Sequence, residues 1–487
     1  MKKSVSSGAL WLLGNNTGIQ IINFIFGVIL ARLLLPADFG LLVTVQIFTG
    51  FAGLLASGGI GQALIRSKTA DIRDFQVVFT MQLVICIFIY IFFLIVSPWI
   101  ADFFNEPLYI DLIRVSALSF ILRPFNSVAR VSLQREMNFK PIAITSVTSM
   151  LISNTATVGM ALNGIGVWSL VIGGLLGSFL SVIALLFVTG TANIRIRFDL
   201  KVAKQHGSFG IKYTINEIIS YFRHQTANIF ISRFMGTSSL GLFNKANSLA
   251  KMPFIIVSGA IYDPVLRAMA SKQDDLDHTR YLYFRSIFIL TLYSLPIYAA
   301  TACLAKPFIA AVYGEKWLDS AFPLTILSIA YSLYCVHHPA GAVYAALNRL
   351  ENEIRLQCEV MIVMIIAFLI GLQDGIIGIA YAMLCVQLYM LLRYTASVLG
   401  IVNGNLRLLL AAILPGICVN ILMLVSLATA HLVLLGTIRE SSPVTYLIGM
   451  VLTGTTIYVA GLFYLPFKEL KAEANRWKIK IWCNSRP

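Results

Sequence analysis

The sequence has little charge for its length. Charged residues make up 12% of its 487 residues and hydrophobic residues 58%, and the mean hydropathy is +0.81. A soluble globular chain carries roughly a quarter charged residues. This chain therefore has too little polar surface to cover its own exterior in water, and most of it is expected to be surrounded by lipid.

The sequence also lacks motifs for catalysis, metal binding and nucleotide binding. It contains no P-loop, GxSxG or HExxH motif, and its seven cysteines form no CxxC pair, so neither a zinc site nor a disulfide framework is predicted. The net charge of +15 could indicate nucleic-acid binding, but the basic residues lie in short gaps between apolar runs. We expect no enzyme activity, metal, cofactor or nucleic-acid partner.

Long apolar runs fill most of the chain. A membrane-spanning helix needs about 20 mostly apolar residues, and this length divides the sequence into about fourteen spans. The fold class is therefore an all-α polytopic membrane protein. The predicted span centres lie near Asn23, Phe51, Phe88, Ser119, Leu151, Leu176, Ser220, Ile255, Tyr293, Tyr331, Ile362, Cys385, Val419 and Met450.

The basic residues predict the orientation of the chain. Cytoplasmic gaps carry an excess of Lys and Arg, and an even number of spans places both termini on one side. With Met1 in the cytoplasm, every strongly basic gap falls on the cytoplasmic side, including the tail at 467–487. We therefore predict cytoplasmic N- and C-termini.

The chain contains an internal repeat. ILARLLLPADFGLL, residues 29–42, aligns with FISRFMGTSSLGLF, residues 230–243, at an offset of about 201 residues. Both copies start on the same side of the membrane, so the repeat is parallel, and transporters built from two such lobes bind substrate at the lobe interface. The predicted regions are an N-lobe at 1–195, a C-lobe at 196–400, two extra helices at 401–466, and the tail.

Each half has one helix with a polar face. Spacings of i, i+4 and i+7 place three amides of the first span on one side, and the repeat offset maps them onto polar residues of the seventh span. The residues are Asn16, Gln20 and Asn23, mapped onto Glu217, Tyr221 and His224. Interhelical hydrogen bonds would explain either face, but their recurrence in both halves favours a wetted central cleft.

Several ionisable residues lie within spans, where they are costly. Arg223, near the middle of its span, is the best candidate for a substrate-facing cation, although an internal pair with Glu217 is an alternative. Snorkelling to the interface explains Arg123 about as well as a cavity role does. Glu217, Asp263 and Glu359 could couple transport to H⁺ or Na⁺, but a neutralised or salt-bridged structural role is favoured for each carboxylate.

Three stretches carry a resemblance to a known family: ARLLLPADFGLL at 31–42, SGGIGQALIRSK at 57–68 and VYGEKW at 312–317. Together with the spans and the parallel repeat, they resemble the polysaccharide-exporter branch of the multidrug/oligosaccharidyl-lipid/polysaccharide superfamily. Its members are flippases for lipid-linked O-antigen and colanic-acid repeat units. The likeness covers nearly the whole chain.

The resemblance implies a V-shaped, two-lobed fold in the bacterial inner membrane that opens alternately to each side. The implied cargo is an undecaprenyl-diphosphate-linked oligosaccharide, with membrane lipids, a polysaccharide polymerase and a chain-length regulator as further partners. Cavity roles for Arg223, Arg123 and the polar faces follow from this implication. The expected outer gate lies near Arg32 and Arg233, and the expected inner gate near Arg66 and Arg267.

Other functions remain open at this point. A cation-coupled drug or metabolite antiporter of the same fold would favour twelve spans and a carboxylate cluster in one lobe. A polysaccharide polymerase would need a large periplasmic loop, whereas every outer gap is short. An assembly scaffold would tolerate the apolar replacement of Arg223. The sequence favours the flippase.

Overall fold

The computed structural model describes residues 2–57, 64, 71–190, 194–435, 443–473 and 475. These residues form helices and short 3₁₀ or π turns, and no strand occurs among them. The helices are α1 (Lys2–Leu33), α2 (Pro36–Ser57), α3 (Ile72–Phe104), α4 (Tyr109–Arg135), α5 (Phe139–Leu162), α6 (Val167–Thr189), α7 (Leu200–Ala270), α8 (Leu276–Val312), α9 (Ala321–His337), α10 (Ala340–Ala346), α11 (Leu350–Gly371), α12 (Gly375–Ile401), α13 (Leu406–Ala430) and α14 (Pro443–Tyr464). The all-α prediction is confirmed.

Most of these helices are suited to a bilayer. In the described part of the chain, nine helical stretches are long and apolar enough to cross a membrane, and a bent pair within α7 would make a tenth. One stretch, Leu350–Ile401, contains both α11 and α12. Every predicted span centre lies inside a described helix, while the total of about fourteen spans stays a prediction.

One side of α3 shows how such a helix meets lipid. Phe88, Phe92, Ile95 and Trp99 are all more than half exposed. A patch of this kind would be a liability in water but is the expected surface in hydrocarbon. The chain is therefore a multi-pass membrane protein.

α7 is too long to be one straight span. Its 71 residues would measure about 107 Å at the rise of an α-helix, against a hydrocarbon core of about 30 Å. Gly236 interrupts the helix with φ 83° and ψ 177°, a conformation that a residue with a Cβ rarely adopts. α7 is therefore interrupted at Gly236.

Contacts divide the chain into two compact units, Met1–Gly241 and Leu242–Pro487. In the first unit, α2, α3, α4 and α6 share an apolar core around Phe93, Tyr109 and Phe120, with the Phe93 and Phe120 rings stacked at 6.0 Å. In the second unit, aromatic rings fill much of the interior, and the side chain of Trp317 is fully buried. The lobe boundaries predicted from the repeat stay a prediction.

Candidate functional site

The first unit contains a cavity of about 580 Å³, within the usual range for ligand pockets. Residues from α2 to α6 line it, and seven of them are serines. Gln82, Asn126, Arg123 and Arg130 add amides and two guanidinium groups, and no Asp or Glu is among the lining residues that the structure describes. The serines are Ser119, Ser127, Ser146, Ser149, Ser153, Ser178 and Ser181. This polar, cationic wall stands out in an apolar chain.

Arg123 lies on α4 with an exposed side chain. Its Nη1 donates a hydrogen bond of 2.6 Å to the carbonyl oxygen of Gly53 on α2, and its Cζ lies 5.5 Å from the centre of the Phe120 ring. A Cβ on Gly53 would lie 2.5 Å from that Nη1. Glycine at this position therefore makes room for the guanidinium group at the cavity wall.

Arg130 lies seven positions further along α4 and is held by neutral groups. Its Nε donates to Asn126 Oδ1 at 3.0 Å, and its Nη2 donates to Ser146 Oγ on α5, also at 3.0 Å. The Asn126 Nδ2 in turn donates to Ser181 Oγ on α6 at 2.8 Å. Three helices thus fix the direction of a charged side chain without supplying a counter-charge.

Small residues bring α5 and α6 close together beside the cavity. Ser153 Oγ donates to the Gly173 carbonyl oxygen at 2.8 Å. A Cβ on Gly173 would overlap the Thr157 hydroxyl, and one on Gly177 would lie 2.9 Å from Ser153 Oγ. Helices in membranes associate through small residues of this kind, and here they form the hydroxyl-rich wall.

The two repeat copies meet where α2 crosses α7. A Cβ on Gly40 would overlap the Thr237 carbonyl oxygen, and a Cβ on Gly241 would overlap the Pro36 carbonyl oxygen. Gly241 is the repeat equivalent of Gly40, and Thr237 is that of Pro36, so the contact is reciprocal. One turn further along α2, the hydroxyl oxygens of Thr44 and Ser232 are 2.7 Å apart. The crossing therefore depends on the absence of side chains at both glycines.

The predicted polar faces are only partly described. Gln20 is half-buried and Asn23 is exposed on α1. On α7, the Tyr221 hydroxyl donates to the carbonyl oxygens of Ile47, at 2.7 Å, and Gln46, at 3.1 Å, which ties α7 to α2. The side chains of Asn16 and Glu217 lie outside the described residues.

Arg223 is half-buried, and its Nε is buried without a hydrogen-bond partner among the described residues. His224, the next residue, is exposed. A buried guanidinium N–H without a hydrogen-bond partner is unfavourable. Arg223 does not line the 580 Å³ cavity. The structure therefore does not bring Arg223 and Arg123 into one pocket.

The predicted gate arginines have different surroundings. Arg32 is exposed at the end of α1, and the Cζ of Arg233 lies 5.1 Å from the centre of the Phe103 ring. Arg267 is exposed at the end of α7, whereas Arg66 lies outside the described residues. Their gate roles stay predictions.

The two coupling candidates with described side chains have different surroundings. Asp263 on α7 is exposed, and Glu359 on α11 accepts a hydrogen bond of 2.8 Å from Arg393 on α12. Among the described residues, no cluster of His, Cys, Asp and Glu could hold a metal ion. His337 and His338 turn to different partners, Gln387 at 3.0 Å and Ser258 at 3.4 Å.

Comparison with known proteins gives a consistent result. Residues 29–322, more than half of the chain, match a family described as "Polysaccharide biosynthesis protein". A lipopolysaccharide biosynthesis protein, WzxC, of Escherichia coli is 23% identical over 84% of this chain and 83% of its own. A succinoglycan biosynthesis transport protein, ExoT, of Rhizobium meliloti is 25% identical over 67% of this chain and 66% of its own.

Two solved structures share the fold. The lipid II flippase MurJ, in an inward closed conformation, superposes with a TM-score of 0.74 at 15% identity, covering 93% of this chain and 98% of its own. An inward-facing multidrug resistance MATE transporter superposes with a TM-score of 0.60 at 14% identity, covering 77% and 93%. At these identities the likeness concerns the fold.

Proposed function

Because the chain belongs to this family of polysaccharide biosynthesis proteins, we propose that it is a flippase for undecaprenyl-diphosphate-linked oligosaccharides. It would carry repeat units from the cytoplasmic to the periplasmic leaflet of the bacterial inner membrane, with both termini in the cytoplasm. The printed names of its relatives, which concern lipopolysaccharide biosynthesis and succinoglycan transport, support this cargo class. The same names support a transporter rather than an enzyme.

The cavity is the observation that carries this proposal. A diphosphate entering a low-dielectric site needs cations and hydrogen-bond donors, because an unpaired charge there is very unfavourable. Arg123 and Arg130 supply two cations with no carboxylate among the described lining residues, and seven serines supply hydroxyls that match those of sugars. A wall of this chemistry fits an anionic, hydroxylated head group.

Arg123 is the residue that we assign to the diphosphate. Its side chain is exposed, and only Nη1 is engaged by the Gly53 carbonyl oxygen, so other donors are available to phosphate oxygens. Arg223, with its unpartnered Nε, is proposed as a second contact during translocation. Gln20, Asn23, Tyr221 and His224 stay proposed cavity residues.

The crossing of α2 and α7 provides a closure that could open. Backbones that touch through glycines, joined by the hydroxyl pair of Thr44 and Ser232, can separate without pulling large side chains apart. We assign this crossing to the outer gate and propose that Arg32 and Arg233 border it. Arg66 and Arg267 stay proposed inner-gate residues. Alternation between the two gates would move the head group across the membrane.

The energy source is a separate proposal. Removal of the product by a polysaccharide polymerase, acting with a chain-length regulator, would make export directional. H⁺ or Na⁺ binding at Glu217, Asp263 or Glu359 is the other route. The ion pair of Glu359 with Arg393 favours a structural role for that carboxylate.

A drug or metabolite antiporter is the competing function, because a multidrug transporter shares the fold. An antiporter for cations would place carboxylates where the cargo binds. The cavity has arginines instead, which would repel cationic drugs. The lining therefore favours an anionic cargo.

Transport in proteoliposomes tests the proposal. The assay follows a fluorescent undecaprenyl-diphosphate oligosaccharide as it becomes accessible in the opposite leaflet. Arg123→Gln should slow transport by about 10- to 100-fold, because hydrogen bonds to charged groups contribute about 1.5–3 kcal/mol. The matched control is Arg114→Gln on the same helix. Arg114 bonds Ser97 and Leu94 and does not line the cavity, so the rate should stay within about twofold of wild type. A wild-type protein that does not move this lipid would refute the proposed function.

A further inference from the structure

The two arginines of the cavity lie at separate places. Seven helical positions correspond to a rise of about 10 Å, and the two side chains also approach different walls. The Arg123 guanidinium group bonds the backbone of α2, whereas that of Arg130 bonds Asn126 and, on α5, Ser146. The cavity therefore offers two cationic points rather than one.

The surroundings of Arg130 suit an acidic sugar. Its partners are an amide oxygen and a hydroxyl, and a guanidinium group carries more N–H donors than these two bonds use. Ser127, Ser149 and Ser178 line the same cavity, so hydroxyl groups and a fixed cation stand side by side. A carboxylate on a sugar ring would find both kinds of partner there.

The charge of the Arg130 guanidinium group needs compensation. A half-buried guanidinium group is costly unless an anion or water compensates its charge. Within the described part of the chain, no carboxylate lining the cavity does so, and three helices hold the side chain in place. An anionic group on the cargo would supply the opposite charge that the described lining residues do not.

We propose that Arg130 recognises an acidic group on the oligosaccharide, so that the preferred cargo is an acidic repeat unit carrying a uronic acid or a comparable carboxylate. Arg123 then meets the diphosphate, which every cargo of the class shares, while Arg130 selects among sugars. This inference rests on the proposed flippase function. Its rival is that both arginines bind the one diphosphate.

The test compares two cargoes that differ only in sugar charge. Both are undecaprenyl-diphosphate oligosaccharides of equal length, one neutral and one with a single uronic acid, assayed in the same proteoliposomes. Arg130→Gln should lower the ratio of acidic to neutral transport rates about tenfold or more, the scale of a lost charge-assisted hydrogen bond. Arg123→Gln should slow both cargoes in proportion, which leaves the ratio unchanged.

Two further variants separate charge from structure. Arg130→Lys retains the positive charge and should restore part of the ratio. Asn126→Asp places a carboxylate beside the guanidinium group and should lower the ratio, because the internal anion competes with the cargo. Arg114→Gln should leave both rates near those of wild type.

Each outcome decides the matter. If Arg130→Gln slows both cargoes in proportion, Arg130 contacts the diphosphate or supports the fold, and the inference is wrong. An unchanged ratio without any loss of rate contradicts it equally. If wild-type protein moves neither lipid, the flippase function itself fails, which is a different result from a flippase that moves both cargoes without discrimination.

Discussion

The two units of the chain differ in what fills their interiors. The first unit keeps a cavity of about 580 Å³ lined by serines and two arginines, whereas a cavity beside His338 in the second unit measures about 10 Å³. On α9 of the second unit, Leu324, Leu327 and Tyr331 are all buried. A duplicated fold therefore need not duplicate a site.

The packed unit shows what the same helices do without a cavity. Rings of Phe254, Tyr334 and His338 lie within 4.6 to 5.3 Å of one another. Such aromatic pairs add stability beyond the area that they bury. The polar, cationic cavity thus lies in the first unit, and dense aromatic packing lies in the second.

The largest expected effect comes from locking the proposed outer-gate contact of the first unit. In a background without the seven native cysteines, Thr44→Cys with Ser232→Cys should form a disulfide on oxidation, since the native hydroxyl oxygens are 2.7 Å apart. Transport in proteoliposomes should then stop and return on reduction. Each single cysteine variant is the control, and full transport by the oxidised pair would show that α2 and α7 need not separate.

Replacing one serine by leucine in each unit tests directly whether the first unit holds open space where the second is packed. Ser149→Leu occupies cavity space and should slow transport at least tenfold while the melting temperature stays near that of wild type. Ser328→Leu enters a fully buried, packed position and should destabilise the protein by about 1–3 kcal/mol. Thermal unfolding and transport are measured for both. Equal destabilisation by the two variants would mean that the cavity is not open space.

Substitution of Gly40, at the crossing of α2 and α7, has a smaller predicted effect on transport. Gly40→Ala places a Cβ against the Thr237 carbonyl oxygen, so the helices must move apart, and transport should fall several-fold. In the Thr44→Cys, Ser232→Cys background, the yield of the disulfide on oxidation should also fall. Gly27→Ala on α1 is the control, because a Cβ there would meet no described residue within 4 Å apart from its own helix backbone. A Gly40→Ala protein with unchanged yield would contradict a tight crossing.

The smallest effect on transport is predicted for a stabilising contact of the second unit. Arg285 on α8 donates to Glu473 at 2.7 Å, with side chains only 18% and 13% exposed, and the Tyr293 hydroxyl donates to the same carboxylate at 3.1 Å. Glu473→Gln should lower the free energy of unfolding by about 1–3 kcal/mol with little change in transport. A large loss of transport at unchanged stability would assign this segment to the mechanism.

Much of the fold could be predicted from the sequence, because membrane helices are recognisable by their length and hydropathy. Each predicted centre, from Asn23 to Met450, lies in a helix. α7 shows the limit of this reasoning, since its division at Gly236 depends on one backbone conformation. A positive φ at a glycine cannot be read from composition.

The candidate site was predicted only in part. The sequence singles out Arg123 as an ionisable residue within a span, whereas Arg130 is counted only among the basic residues of the gaps between apolar runs. The structure places both residues on α4. The spacing of Arg123, Asn126 and Arg130 at i, i+3 and i+7 was the available signal, because it puts them on one helical face. Serines give no comparable signal, since single hydroxyls occur throughout membrane helices and only tertiary packing gathers them.

Protection of a cavity residue by cargo is the most direct measurement of the central claim. Ser127→Cys, in the background without native cysteines, places a thiol in the cavity wall, where a water-soluble maleimide should label it. Saturating undecaprenyl-diphosphate oligosaccharide should slow that labelling at least tenfold, whereas undecaprenol alone should leave it unchanged. Equal labelling rates with and without the oligosaccharide would show that the head group does not enter the cavity.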